Sequence, residues 1–150
     1  MWQDAILAYL HFAAIFTLVW FLAKEWTLLK VGPDRLDLRR LALADTGFGI
    51  AALAVLVTGA LRATLGIKTW AFYAHNTAFH IKVSLFVLVG VISIRPTIAF
   101  LRWRKAAKAD PNFRVGEAQW RAVKRLVMIE LHGVALIPLF AVVMARGLAL

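Results

Sequence analysis

The chain has 150 residues, of which 62% are apolar and 17% charged, so its apolar content is well above that of a soluble globular domain. This composition excludes a soluble fold, and four stretches of about 20 apolar residues leave no room for a second, water-soluble domain. The absence of cysteine excludes disulfides, iron–sulfur clusters, thiolate metal sites and cysteine nucleophiles. The formal net charge of +10 does not indicate a nucleic acid partner, because the 18 basic residues lie at the membrane ends of the predicted spans rather than in one patch.

Four hydrophobic segments predict four transmembrane helices. Their predicted limits are about Trp2 to Ala23, Leu43 to Leu65, Ala78 to Leu101 and Leu126 to Ala145. Because the connections are short, we expect an up-down-up-down bundle. The predicted fold is therefore an all-α, integral membrane four-helix bundle that forms a single domain over residues 1–150.

The first predicted helix carries one polar stripe. Asp4, His11, Leu18 and Glu25 are spaced by seven residues and share a face. This spacing points a mid-membrane imidazole into the bundle, with a carboxylate towards each end. We expect the helix to remain attached rather than to be cleaved as a signal peptide, since no basic residue precedes it and a basic tract follows it.

The second predicted helix has a face of small residues, among them Gly47, Gly49 and Gly59. Two interpretations are open. The first is close helix packing, within the bundle or in a homodimer, and the second is clearance for a flat cofactor.

The third predicted helix begins near His80 and Lys82, which lie about 200° apart around the helix, so only one of them can face the core. Further along, Arg95 precedes Pro96, which predicts a kink and an arginine that reaches the headgroups. The minority interpretation makes Arg95 a partner of a cofactor propionate or of a proton path.

The fourth predicted helix carries Glu130 and His132. An amphipathic stretch over residues 116–125 precedes it and is expected to extend this helix inward. Because a carboxylate within a span is costly, Glu130 either pairs with a cation such as Arg95 or takes part in proton movement.

The distribution of basic residues predicts the orientation. The first and third connections together hold thirteen of them, against four on the opposite side: Arg62, Lys68, Lys82 and Arg146. The positive-inside rule therefore places both termini on the outer, periplasmic side of a bacterial inner membrane.

The histidines predict a cofactor. A low-dielectric site with two imidazoles and no thiolate suits haem b, whose iron accepts one nitrogen on each side. His11 and His80 are the predicted axial ligands, with His132 in reserve. His11 lies roughly 14 Å from Trp2 along the helix, and His80 reaches a comparable depth only if the third helix begins near Phe72.

Simpler roles remain open for these residues. A single histidine in a membrane helix is as well explained by a hydrogen bond to a neighbouring helix as by a metal. Arg62, Lys68 and Lys82 are candidates to hold haem propionates, although phospholipid phosphates account for them equally well.

Several short motifs, in order and spacing, resemble those of the HemJ-type membrane protoporphyrinogen oxidases. They are Leu10-His11-Phe12, Arg39-Arg40-Leu41, Thr58-Gly59, Phe79-His80-Ile81-Lys82, Ile129-Glu130-Leu131 and Pro138. The chain also resembles an uncharacterised family of small bacterial four-helix membrane proteins and, more loosely, the CopD membrane domains of copper resistance. Likeness to HemJ implies haem b, with His11 and the His80/Lys82 pair at the important positions.

Three functions follow as hypotheses. The first is a haem b membrane protein that transfers electrons, between the quinone pool and an outer-face partner. The second is an oxidoreductase that oxidises porphyrinogen, with Glu130, Lys82 and Arg95 as substrate or proton partners. The third is a non-redox subunit whose histidines bind copper or only neighbouring helices.

Overall fold

The computed structural model describes residues 2–66 and 70–146, and four of its helices are long and apolar enough to cross a membrane. These four are α1 (Trp2–Leu29), α2 (Leu38–Leu65), α4 (Thr77–Ala109) and α5 (Glu117–Ala145). A short helix, α3 (Trp70–Ala74), precedes α4, and a 3₁₀ turn over Pro33–Arg35 precedes α2. The predicted all-α membrane fold is confirmed.

The spanning helices are longer than the apolar segments that predicted them, because helix ends are set by capping groups rather than by hydropathy. Asp37 caps α2 by accepting a hydrogen bond from the Arg40 backbone N–H at 2.9 Å. Asn76 caps α4 in the same way, from the Phe79 N–H at 3.0 Å. The start of α5 at Glu117 confirms that the amphipathic stretch over residues 116–125 extends the last helix at its N-terminal end.

We expect Asp37→Ala to lower the free energy of unfolding by about 1 kcal/mol, because the first turn of α2 loses its capping acceptor. The measurement is a detergent-denaturation titration followed by circular dichroism. Asp34→Ala is the matched control, since Asp34 is also exposed and makes no capping bond to its turn. Equal losses in the two variants would contradict the capping role.

The long helices are antiparallel neighbours in the order α1, α2, α4, α5 around the bundle, so α1 and α4 lie diagonally. Early residues of α1 meet late residues of α2: His11 lies beside Gly59, and the Phe21 ring packs directly on Gly47. Val89 of α4 packs in the same way on Gly133 of α5. The small-residue face of α2 is therefore used for helix packing at Gly47 and Gly59.

The buried core is concentrated in one half of the bundle. We call the end with the connections α1–α2 and α4–α5 the basic end, and the opposite end, where α1 begins and α5 finishes, the terminal end. The core side chains of the basic half recur every three or four residues, as expected for a packed helical face. They include Leu18, Leu22, Glu25 and Leu29 of α1; Leu41, Asp45 and Phe48 of α2; Pro96, Phe100 and Trp103 of α4; and Val123, Val127, Glu130 and Val134 of α5.

The terminal half is packed less closely. This half comprises α2 beyond position 51, α4 before position 89 and the outer parts of α1 and α5. Among its described residues, the buried ones are Ala63 and Ala78. At the basic end, by contrast, the indole N–H of Trp120 donates to the carbonyl of Leu29 at 3.0 Å and joins the start of α5 to the end of α1. The two halves therefore offer different surroundings to polar groups.

Candidate functional site in the terminal half

His11 is held by a side chain of the neighbouring helix. Its Nδ1 lies 2.9 Å from the hydroxyl oxygen of Thr58, and that hydroxyl donates to the carbonyl of Ala54 at 2.6 Å. Because the hydroxyl hydrogen is already engaged, Nδ1–H is the donor to Thr58. In the neutral ring Nε2 then carries the lone pair, which is the arrangement found in metal-binding histidines. The ring is half-buried.

Gly59 makes room for this imidazole. A Cβ atom at position 59 would lie 3.2 Å from Cε1 of His11, closer than side chains normally approach, so the ring would have to shift by a few tenths of an ångström. The two adjacent residues Thr58 and Gly59 supply the hydrogen bond and the space, respectively. This dipeptide is therefore the local feature of α2 that positions His11.

Two cations act on His11 through their charge: Arg62 of α2 and Lys82 of α4. The guanidinium of Arg62 lies 5.9 Å from the centre of the Phe12 ring, and its Nε is buried without a hydrogen-bond partner. The amine of Lys82 lies 5.1 Å from the centre of the Phe79 ring. One imidazole and two cations therefore share the same region of the terminal half.

His80 is placed differently from His11. Because α4 begins at Thr77 and not near Phe72, His80 lies in the first turn of the helix, only about 5 Å along its axis. Its side chain is exposed in an open groove with Ser84 and Leu88, and its Nε2 lies 2.9 Å from the carbonyl of Ala74. The structure brings Lys82, and not His80, towards His11.

The other predicted site residues are spread along the bundle. His132 is exposed, with Nδ1 at 2.7 Å from the Met128 carbonyl of its own helix. Arg95 is also exposed, and Lys68 falls outside the described residues. Arg95 and Lys82 are thirteen residues apart, about 20 Å along α4, so the three residues predicted for porphyrinogen oxidation are not gathered at one site.

Glu130 is buried, but it is not joined to Arg95. Its Oε1 has no hydrogen-bond partner, and Glu25 of α1 is buried in the same state. A third buried acid, Asp45, was not singled out by the sequence analysis. Its signal is nevertheless in the sequence, since Asp45 stands in helical phase with Leu41 and Phe48, where a core residue is expected.

No curated protein and no solved structure matches the chain. The distant resemblance to HemJ-type oxidases and CopD domains therefore stays a prediction. A family model described as "Predicted membrane protein (DUF2214)" matches residues 3–149, nearly the whole chain. With its four helices able to span a membrane, the chain belongs to this DUF2214 family of predicted membrane proteins.

Proposed function

We propose that this membrane protein binds haem b in its terminal half and has a redox role, with His11 as the iron ligand that the chain supplies. The observation that carries the proposal is the His11–Thr58 hydrogen bond of 2.9 Å, which fixes the ring and leaves Nε2 to accept a metal. A bond from the second ring nitrogen to a neighbouring group is the usual way in which proteins orient such a ligand.

The surrounding residues fit a haem. Its two propionates need cations, and Arg62 and Lys82 both lie close enough for their charges to reach His11. The buried Nε of Arg62 lacks an acceptor, which a carboxylate would provide. The loosely packed terminal half is also the part of the bundle where a large apolar ring meets the fewest buried side chains.

The proposal gives the histidines unequal roles. His11 would hold the iron, Thr58 would orient His11, and Arg62 and Lys82 would bind the propionates. His80 and His132 already bond to backbone carbonyls and are exposed, so we propose that neither is required for haem to stay bound. When bound, the haem would supply one-electron transfer.

The membrane position suggests the electron partners. If both termini face the periplasm of a bacterial inner membrane, as the basic residues of the two connections favour, the His11 region lies in the outer leaflet. Quinone in the bilayer and a periplasmic redox protein are the partners that could approach it there. A homodimer through an exposed helix face is compatible with this arrangement.

The test is the absorption spectrum of the protein purified in detergent after expression with a haem precursor. We expect a Soret band that shifts on dithionite reduction, and about one haem per chain in a pyridine haemochrome assay. Metal analysis should find iron without copper. A colourless preparation, or copper without iron, would contradict the proposal and favour the non-redox hypothesis.

A further inference from the structure

Three acidic side chains from three different helices are buried together in the basic half of the bundle. Glu25 of α1 and Glu130 of α5 are each 1% exposed, and Asp45 of α2 is 7% exposed. The charges of Asp45 and Glu130 both act on Glu25, and that of Asp45 acts on Glu130, so the three lie within electrostatic reach of one another. We call Glu25, Asp45 and Glu130 the acidic cluster.

The fourth helix contributes a hydroxyl to the acidic cluster. Thr97 of α4 donates a hydrogen bond of 2.7 Å to Oδ1 of Asp45. Two of the other carboxylate oxygens lack a hydrogen-bond donor: Oε1 of Glu25 and Oε1 of Glu130 are both buried without a hydrogen-bond partner. A buried carboxylate oxygen with no donor is costly, so each of these atoms calls for a hydrogen that the described side chains do not supply.

No cation neutralises the acidic cluster among the described residues. The two ion pairs that the described residues form are Arg40–Asp37 and Arg121–Glu117, and both are exposed at the basic end. Two lysines of the basic half stack on tryptophan rings instead. The Lys24 amine lies 4.9 Å from the centre of the Trp20 ring, and the Lys124 amine lies 4.6 Å from the centre of the Trp120 ring. Arg95 of α4 is exposed. Among the described residues, the acidic cluster therefore receives a hydrogen bond from the Thr97 hydroxyl and is paired with no cation.

Three like charges cannot all be maintained in this environment. Moving one unpaired carboxylate out of water is strongly unfavourable, and each further charge within reach adds repulsion. A metal ion is one way to neutralise such a group, but it needs several oxygen atoms close together. In residues 2–66 and 70–146 no three His, Asp or Glu side chains are close enough to hold a metal. Protons can instead neutralise the carboxylates one at a time, because each proton that binds removes one negative charge.

We propose that Glu25, Asp45 and Glu130 form a proton-binding site that carries protons at neutral pH and exchanges them with water at the basic end. The site is separate from the proposed haem site. Glu25 is fourteen residues from His11 on the same helix, about 21 Å along its axis. The proposal therefore stands whether or not haem binds. Glu25, four residues before the end of α1 and so about 6 Å from it along the helix axis, is the member nearest the aqueous connection.

The experiment is infrared spectroscopy of the wild-type protein in lipid vesicles at neutral pH. We expect the carbonyl stretch of protonated carboxylic acids, which shifts when water is replaced by deuterium oxide. Glu25→Gln and Glu130→Gln should each reduce this band, whereas Glu117→Gln should leave it unchanged, because Glu117 is exposed and paired with Arg121. A wild-type spectrum with carboxylate bands alone would overturn the proposal, and this measurement does not depend on any variant folding.

A chemical probe distinguishes bound protons from a bound metal ion. Dicyclohexylcarbodiimide adds the O–H of an apolar carboxylic acid across one of its C=N bonds, and the adduct rearranges to a stable N-acylurea that mass spectrometry locates. We expect adducts on Glu25 or Glu130, none on Glu117, and no protection by sodium or calcium ions. Adducts on Glu117 to the same extent, or protection by either ion, would overturn the proton site.

Discussion

Changing His11 to alanine is expected to remove bound haem, with at least a tenfold fall in the ratio of Soret to protein absorbance. His11 is the imidazole that another side chain anchors across the α1–α2 interface, and its loss leaves Arg62 and Lys82 to bind the propionates without an iron ligand. His80→Ala and His132→Ala are the matched controls, since both rings are exposed and bond to backbone carbonyls. Each control is expected to keep the wild-type spectrum.

Two further variants separate loss of the ligand from loss of the fold. In His11→Gly, added imidazole should restore the haem bands, because a free ligand can fill the vacated position. In Thr58→Val the ring stays but its hydrogen bond is lost, and haem affinity should fall about 10- to 100-fold, as for other outer-shell partners. Equal losses in His80→Ala and His11→Ala would show instead that both histidines bind the iron, as the sequence analysis expected.

Replacing Gly47 by leucine is expected to lower the free energy of unfolding by about 3 kcal/mol, the upper part of the usual range for an overpacked interface. The physical reason is that a side chain at position 47 would occupy the space of the Phe21 ring, which packs on α2 from α1. The measurement is a denaturation titration in detergent micelles.

Gly49 provides the matched control for this substitution. It is exposed on the same helix, two residues away, and a Cβ at position 49 would meet nothing within 4 Å. Both substitutions gain the same helix propensity, so any difference between Gly49→Leu and Gly47→Leu reports packing. Phe21→Ala combined with Gly47→Leu should recover part of the loss, because the smaller residue makes room. No recovery would contradict the direct contact.

The sequence identifies Glu130 as a buried acid but not Asp45, because recognising Asp45 requires knowing how the helices pack. Glu130 stood out because a lone acid within an apolar run is costly wherever it faces. Asp45 lies nearer the start of its helix, where an acid is unremarkable until the packing shows that Leu41, Asp45 and Phe48 all face inward. The cluster that unites Asp45 with Glu25 and Glu130 required the relative rotation of three helices, which periodicity within one helix does not contain.

The paired role predicted for His80 depended in the same way on a feature that hydropathy does not record. The predicted start of the third helix at about Ala78 agrees with the observed start at Thr77, whereas the pairing of His80 with His11 required a start near Phe72, in what is the separate helix Trp70–Ala74. The Asn76 side chain caps α4 and separates the two helices. This one hydrogen bond keeps His80 in the first turn.

By itself, the sequence determined that the chain forms four helices long and apolar enough to cross a membrane, because each apolar run reaches about 20 residues. It also determined that His11 faces a neighbouring helix, since a seven-residue spacing repeats on one face at any packing. Only the tertiary structure decided that Thr58 bonds to His11, that Lys82 rather than His80 lies towards it, and that three buried acids lie within electrostatic reach of one another in the basic half. Those outcomes depend on helix rotation and relative height, which are set by contacts between side chains distant in the chain, such as Phe21 on Gly47 and Val89 on Gly133.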